Sequence, residues 1–444
     1  MKLQLPNIVL HAVLFLLTAF MLINGINMVL NFMGISVTIP VMALYVVAAI
    51  YFISTATPQK GVLMLYTIIT FCSYVGVSLL SNFLYGKTHA DIDVPYEVRA
   101  IFYNLIIIFV SYRFVQLHLN FNSEWKFLHL LFWISIIGCV LTLFSGVFKL
   151  YTIELKSYLD DPAAIIEERL SGVYLNPNLA GYAANVGLVI SFSFLYGKSV
   201  SMKILGLLGV LFSYVTAAAT FSKTSILQCI LITLLFLLTT FFNWQNIAKS
   251  VRKHITIVAI VILIILVQAV AYVFASIDSL LPEQQVRVRQ IEQLLTTGKL
   301  NSEITTSRSD AFDDGIIQIG HHPIIGNGFG SFLMLKNASE RVGEKLGIHN
   351  SFLLVLGDAG ILVFTLYIGM HILLFLGILK LHSVQLKFFG LALLAATVVY
   401  NTTSHEALAN PIQGVVLGTL LGLASFGFWP VKIDGKPSPE QSNG

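Results

Sequence analysis

The chain of 444 residues is 56% hydrophobic and only 11% charged, with a mean hydropathy of +0.83. Soluble domains carry roughly 25% charged residues, so this composition excludes an ordinary soluble protein and indicates one built for a lipid bilayer. The formal net charge of +4 is small and spread along the chain, which argues against nucleic-acid binding.

Long apolar runs predict an all-α polytopic membrane protein with about twelve transmembrane helices, since about 18 apolar residues or more can span a bilayer. The first run is too long for the core of a signal peptide, so we expect it to remain as a helix. The least certain boundary is the one between two runs that only Ser222-Lys223 separates. The runs lie near 8–32, 36–54, 61–84, 98–117, 127–148, 179–197, 203–221, 224–243, 255–276, 350–380, 388–402 and 411–429.

The distribution of lysine and arginine among the short loops predicts the orientation of the chain. If the N-terminus is cytoplasmic, the basic loops fall in the cytoplasm and the opposite loops are poorer in basic residues. Both termini, including the polar tail at 430–444, are then cytoplasmic, and the loops at 149–178 and 277–349 lie outside. The basic residues assigned to the cytoplasm are Lys60, Arg113, Lys126, Lys198, Lys203, Lys249, Arg252, Lys253, Lys380 and Lys387.

The polar stretch at 277–349 separates the first nine predicted helices (1–276) from the last three (350–429). It holds nine acidic and seven basic residues, so any anion site there must depend on local geometry rather than on net charge. Pro282 predicts the start of a helix along the membrane surface. Ser307 with Asp310 resembles a capping box and predicts a second helix that ends near Gly320.

The dipeptide His349-Asn350 closes this loop where the apolar sequence resumes. Asn350 is a good N-cap, so one interpretation is a plain helix start that leaves His349 among the lipid headgroups. The other makes His349 a proton acceptor, because histidine is the side chain whose ordinary pKa lies near neutral pH.

Three cations outside the cytoplasmic loops could bind an anionic group. Arg308 could bind phosphate oxygens through its planar guanidinium, or it could be a solvated loop charge. Arg169 could bind phosphate in the same way, or it could be part of a capped helix entry. Lys223 lies within an apolar stretch, where a lysine at the bilayer centre would cost roughly 2.5–3.5 kcal/mol. It is therefore expected at the tip of a hairpin or in a wet cavity.

A glycine-rich segment, HHPIIGNGFG, precedes the closing part of the loop. Gly326, Gly328 and Gly330 match part of a dinucleotide-binding fingerprint, but no strand–turn–helix pattern surrounds them. We interpret them as residues that allow tight backbone turns close to a partner segment. His322 could contact phosphate or be an exposed turn residue. His405-Glu406 lacks the second histidine of a zinc-protease helix, so we expect no metal site there.

Five stretches, in order, resemble the O-antigen ligase and polymerase family of bacterial polysaccharide enzymes. The most specific is His349-Asn350 followed by Gly360 after nine intervening residues. The resemblance covers about 170–365, and its stretches are Arg169-Leu-Ser-Gly172 with Asn176-Pro177-Asn178, then Ser222-Lys223, Arg308, the turn from His322 to Gly330, and His349-Asn350.

The resemblance implies a metal-independent, inverting membrane glycosyltransferase that needs no cofactor and works on the extracytoplasmic face of the bacterial inner membrane. Its donor would be a glycan on undecaprenyl pyrophosphate, and its acceptor a hydroxyl of lipid A core or of another glycan. It implies His349 as the base, a pyrophosphate site made of Arg169, Arg308, Arg341 and Lys223, and supporting roles for Asn350, Asn178, His322 and Gly328.

Ligase and polymerase both remain open within the family, and we lean slightly to ligase. Lys223 and Val363 depart from the residues common in the ligases, which bears on that choice. A flippase or transporter of lipid-linked glycans is the rival from another class, and its site would lie near the bilayer midplane between two repeats. The chain shows no convincing internal repeat, and its notable charges gather at one mouth, which favours the enzyme.

Overall fold

The computed structural model describes residues 38–54, 61–86, 93–120, 124–147, 170–243 without 175 and 198, 277–280, 308–332, 349–404 and 406–429, with scattered positions elsewhere. Two predicted spans, 8–32 and 255–276, lie outside these ranges, as does most of the predicted surface helix after Pro282. Every regular element within the described ranges is a helix.

The described helices confirm the all-α membrane architecture. All of the α-helices except α1 and α8 are long and apolar enough to cross a bilayer, which gives nine candidate spans in the part of the chain that the structure describes. The helices are α1 (Thr38–Ser54), α2 (Val62–Tyr85), α3 (Val94–Asn120), α4 (Glu124–Val147), α5 (Pro177–Leu195), α6 (Val200–Ala219), α7 (Lys223–Phe242), α8 (Arg308–Ile319), α9 (Ser351–Leu379), α10 (Val384–Asn401) and α11 (Pro411–Phe428). Short 3₁₀ turns occur at Gly172–Tyr174, Ile277–Ser279 and Glu406–Leu408.

The start of α10 differs from the prediction near 388, because the helix begins at Val384. The Ser383 hydroxyl caps it by accepting a hydrogen bond from the backbone N–H of Leu386 (3.4 Å). Gln385 and Lys387 make this first turn polar, so an apolar run cannot reveal it.

Helix α5 lies at the centre of the bundle. Every one of its residues except Asn178 is buried, and it packs against α4, α6, α7 and α10. A helix that is apolar on all sides is stable in such a position. Its one amide inside the bundle, Asn185, donates hydrogen bonds to Ser225 Oγ and Gln228 Oε1 on α7, both at 3.0 Å. Gln228 in turn donates to the carbonyl of Ala396 on α10 (2.7 Å), so α5, α7 and α10 share one polar network.

A stripe of small residues brings α11 against α3. Gly414, Gly418 and Gly422 follow one another at four-residue spacing and face α3. A Cβ added at Gly418 would lie 2.4 Å from the carbonyl oxygen of Ile108. Small residues at this spacing let two membrane helices approach closely, where van der Waals contact stabilises them.

Replacing Gly418 with alanine should therefore push α3 and α11 apart. We expect Gly418→Ala to lower the free energy of unfolding by about 1–3 kcal/mol, the usual cost of overpacking. The matched control is Gly76→Ala on α2, where an added Cβ meets nothing within 4 Å. Thermal melting of both purified variants in the same detergent measures the difference, and equal melting temperatures would contradict this packing.

Candidate functional site

Helix α9 begins directly after His349, as the sequence predicts. Asn350 has extended backbone angles (φ −154°, ψ 109°), and its side chain accepts hydrogen bonds from the N–H groups of Phe352 (3.0 Å) and Leu353 (3.1 Å). The Ser351 hydroxyl donates to the carbonyl of Ser404 in the loop before α11 (2.5 Å). The N-cap prediction for Asn350 is confirmed, and it holds the half-buried His349 at a fixed helix start.

Helix α9 is broken at Gly360, nine residues into the helix. This glycine has φ 75° and ψ −177°, which interrupts the helical hydrogen-bond ladder. In an unbroken helix, the Gly357 and Asp358 carbonyls would accept hydrogen bonds from the N–H groups four residues further along the chain. At the break these carbonyls accept instead from Asn327 (2.7 Å) and Gly328 (3.0 Å). The N–H of Ile361 donates to the carbonyl of Pro323 (2.9 Å), so the break and the glycine-rich segment fit one another.

Residues 326–332, which we call the glycine turn, contain three glycines whose backbone angles other residues rarely adopt. Gly326, Gly328 and Gly330 all have positive φ, at 77°, 102° and 84°. A Cβ at Gly326 would lie 2.3 Å from the Asp358 carbonyl oxygen, and one at Gly328 would lie 1.9 Å from Asn82 Oδ1. The prediction of tight turns close to a partner segment is confirmed, and the partners are α9 and α2.

The glycine turn enters the bundle beside α2. The Ser81 hydroxyl donates to the Gly326 carbonyl (2.7 Å), and the Asn82 amide donates to the Phe329 carbonyl (3.2 Å). The N–H of Phe329 donates to the carbonyl of Ser78 (3.1 Å), which lies about 10 Å along the helix from its end at Tyr85. The turn is therefore non-helical backbone inside the bundle, and it is buried throughout.

Asp358 receives three hydrogen bonds where the turn meets α9. Its carboxylate accepts from the N–H groups of Gly330 and Phe332 (3.0 Å each) and from the Tyr74 hydroxyl of α2 (2.9 Å). The side chain is fully buried. Sequence reasoning missed it, although an acidic residue inside a long apolar run is a signal for a functional or structural polar site.

Helix α8 joins this unit through its last turn. It spans Arg308–Ile319, which confirms the helix predicted to end near Gly320. Asn327 donates to the carbonyl of Gln318 (2.9 Å), and Ile319 packs against the cluster of Phe332 from the glycine turn and Leu354 from α9. The backbone of Arg308 starts the helix, while its side chain is outside the described atoms.

His322 lies between α8 and the glycine turn. Its ring stacks on Tyr85, the last residue of α2, with ring centroids 3.7 Å apart and planes at 19°. Both side chains are partly accessible at the end of the bundle.

Asn178 contacts Ser222, the residue before Lys223. The Ser222 hydroxyl caps α7 by accepting from Ser225 N–H (3.3 Å) and donates to Asn178 Oδ1 (2.8 Å). Lys223, the first residue of α7, is half-buried and lies at the tip of the α6–α7 hairpin, one of its two predicted places. Asn178 lies in the first turn of α5, which Asn176 caps.

Contacts through α10 place this pair at the same end as His349. The Tyr182 hydroxyl, one turn after Asn178, shares a hydrogen bond with Thr397 near the end of α10 (3.0 Å). The chain then continues from Asn401 to Ser404, which contacts Ser351. We call this end of the bundle the site end. The described residues at this end include Lys223, Asn178, His322, Gly328, His349, Asn350 and the last turn of α8, whereas Arg169 and Arg341 are outside the described residues.

Residues 207–368 match the model of a family described as O-antigen ligase. This part of the chain is similar to the O-antigen ligase family. The match runs from α6 through Lys223, α8 and the glycine turn to the first part of α9, and it confirms the resemblance found in the sequence motifs. A comparison with curated proteins gave no significant match. The nine candidate spans of the described residues indicate a multi-pass membrane protein, and the family match links this part of the chain to polysaccharide biosynthesis.

Two substitutions at Asn350 can distinguish its role as a helix cap from a direct contact with substrate. We expect Asn350→Asp to keep the cap, because a carboxylate accepts the same two N–H groups, and Asn350→Ala to lower the free energy of unfolding by about 1 kcal/mol. Glycan transfer by membranes that hold equal amounts of each variant provides the second measurement. A stable but inactive Asn350→Asp variant would show that the amide itself is needed beyond the cap.

Proposed function

We propose that the protein is an O-antigen-ligase-like glycosyltransferase. It transfers a glycan from undecaprenyl pyrophosphate to a hydroxyl of lipid A core or of another glycan, on the periplasmic face of the bacterial inner membrane. The observation that supports this proposal lies inside the family match. The last turn of α8, the helix that begins at Arg308, packs beside the first turn of α9, which follows His349.

The proposed reaction is a direct displacement at the anomeric carbon. The acceptor oxygen forms a bond to this carbon while the bond from carbon to the pyrophosphate oxygen breaks, and the pyrophosphate leaves with the electron pair. The acceptor hydroxyl loses its proton to His349 as it attacks. Because attack and departure occur on opposite faces of the sugar, the anomeric configuration inverts.

Cations of the chain would stabilise the pyrophosphate as negative charge develops on it. Arg308 can bind two phosphate oxygens at once through its planar guanidinium. Lys223 lies at the same end of the bundle, and Arg169 and Arg341 would join from the two outer loops. Such fixed charges act most strongly in a site that excludes water. We propose that they supply the charge stabilisation that a metal ion provides in other transferases, and that no cofactor takes part.

The surroundings of α8 suit a lipid-linked donor. Ile317 of α8 is 68% exposed and Ile324 beside the glycine turn is 61% exposed, so apolar side chains face outward next to the proposed charged site. A donor with a polyprenyl tail and a pyrophosphate head has an apolar part for these side chains and an anionic part for the cations. An acceptor that is itself lipid-linked would reach the site from the same membrane.

Ligase and polymerase would use the same base and the same cations, so the product decides between them. Deletion of a ligase removes full-length glycan chains from lipid A, whereas deletion of a polymerase leaves single repeats. We propose ligase as the first of the two. A flippase would instead move the donor across vesicles without forming a new glycosidic bond.

The base assignment predicts a large loss of turnover on removal of His349. We expect His349→Ala to lower the rate of glycan transfer by about 100-fold or more, in the range found for general bases. The control is His382→Ala, an exposed histidine in the α9–α10 loop at the opposite end of the bundle. Transfer from purified donor is measured in membranes with verified insertion, and a wild-type rate for His349→Ala would overturn the assignment.

The pyrophosphate assignment predicts that charge alone is not enough at position 308. Arg308→Lys keeps the charge but loses the two-pronged contact, so we expect turnover to fall by about tenfold while folding is unchanged. Arg289→Lys is the matched control, since Arg289 is an exposed arginine of the same loop that pairs with Asp278 at 3.6 Å. Equal turnover and equal donor affinity in the two variants would make Arg308 a solvated loop charge.

A further inference from the structure

We propose that Asp358 is a positioning residue, whose carboxylate fixes the helix that carries His349 to the turn that carries α8 and Arg308. This inference rests on the proposed function, because it states what holds the proposed base and the proposed pyrophosphate site in register. It concerns a residue that contacts neither substrate nor reacting atoms.

The carboxylate joins three separate parts of the chain. It belongs to α9, it accepts the N–H groups of Gly330 and Phe332 from the glycine turn, and it accepts the Tyr74 hydroxyl from α2. A carboxyl group suits this place, because its two oxygens accept the hydrogen bonds of all three partners. An asparagine would turn its NH₂ group toward at least one of them.

The glycine turn depends on this carboxylate for complete hydrogen bonding. All seven backbone N–H groups from 326 to 332 are paired in the structure, five of them with carbonyls of the turn, its preceding loop, α2 or α9. The other two, at Gly330 and Phe332, donate to the carboxylate of Asp358. Non-helical backbone at membrane depth is stable only when such groups find protein partners. Loss of the acceptor would therefore release the second half of the turn.

The effect would reach both proposed catalytic elements. Asp358 is in the helical segment 351–359, so it moves together with the helix start next to His349. Ile319 of α8 packs against the cluster of Phe332 and Leu354, and Asn327 donates to the carbonyl of Gln318. A shift of the turn relative to α9 is a shift of α8 relative to His349. A displacement of about 1 Å is enough to lower turnover by about 100-fold.

The test is Asp358→Asn, which keeps the size of the side chain and removes one acceptor. We expect kcat to fall by about tenfold or more, with KM for the donor changed by less than about threefold, because geometry rather than binding is lost. Amide hydrogen exchange of the 326–332 segment should be about tenfold faster than in the wild type. Gln228→Leu is the control for loss of a buried polar contact elsewhere, since Gln228 bonds to Ala396 in the α7–α10 network. It should leave kcat and the exchange of the turn unchanged.

A combined variant separates positioning from general destabilisation. If Asp358 acts through His349, Asp358→Asn combined with His349→Ala should be no slower than His349→Ala alone, within about threefold. Losses that multiply would overturn the proposal, as would a wild-type kcat or wild-type exchange in Asp358→Asn. A wild-type rate for His349→Ala would overturn the proposed base and the positioning role together. A slow His349→Ala with a fully active Asp358→Asn would overturn positioning alone.

If Asp358→Asn does not fold, Tyr74→Phe tests the positioning role instead. It removes one of the three donors to the carboxylate and leaves both backbone contacts in place. Its control is Tyr196→Phe, which loses a hydroxyl bonded to Thr240 (2.9 Å) at the other end of α5. A lower kcat for Tyr74→Phe than for Tyr196→Phe supports the proposal, and equal values overturn it.

Discussion

The site end depends on how buried, non-helical backbone satisfies its hydrogen bonds inside a membrane protein. Within a bilayer, an N–H or carbonyl group without a partner costs several kcal/mol, so irregular backbone survives only when protein surrounds and pairs it. The glycine turn enters the bundle because α9 is broken opposite it. Gly360 breaks the helix, the freed carbonyls of α9 accept two N–H groups, and the carboxylate of Asp358 accepts two more.

This pairing brings distant parts of the chain to one place. Tyr74 and Ser78 come from α2, the glycine turn from the long loop, and Asp358 from α9, so residues some 280 positions apart share one hydrogen-bonded unit. The proposed base stands at the start of α9 and the proposed pyrophosphate ligand at the start of α8, and the unit connects both. Proteins commonly hold reacting groups in place on loops and helix ends that extend from a rigid scaffold.

Sequence reasoning could predict the elements whose signals are local. Apolar runs predict the described membrane helices, Asn350 is a predicted N-cap, and the spacing of the glycines indicates a turn against a partner segment. It could not find that partner, because α2 is an ordinary apolar run in which Tyr74 carries no motif. Nor could it show that Gly360 breaks α9, since a break inside an apolar run leaves hydropathy unchanged. Hydrogen bonds between distant segments follow from tertiary packing, which no local pattern encodes.

The central claim is that this chain moves a glycan from a lipid pyrophosphate by direct displacement. The most direct measurement is a reconstituted reaction of the purified protein with an undecaprenyl-pyrophosphate glycan and a hydroxyl acceptor. Released undecaprenyl pyrophosphate and new glycosidic bonds would be counted together, and the anomeric configuration determined by NMR. The account predicts one lipid pyrophosphate released for each inverted linkage formed, and only when acceptor is present. Release without an acceptor, or a linkage of retained configuration, would contradict it.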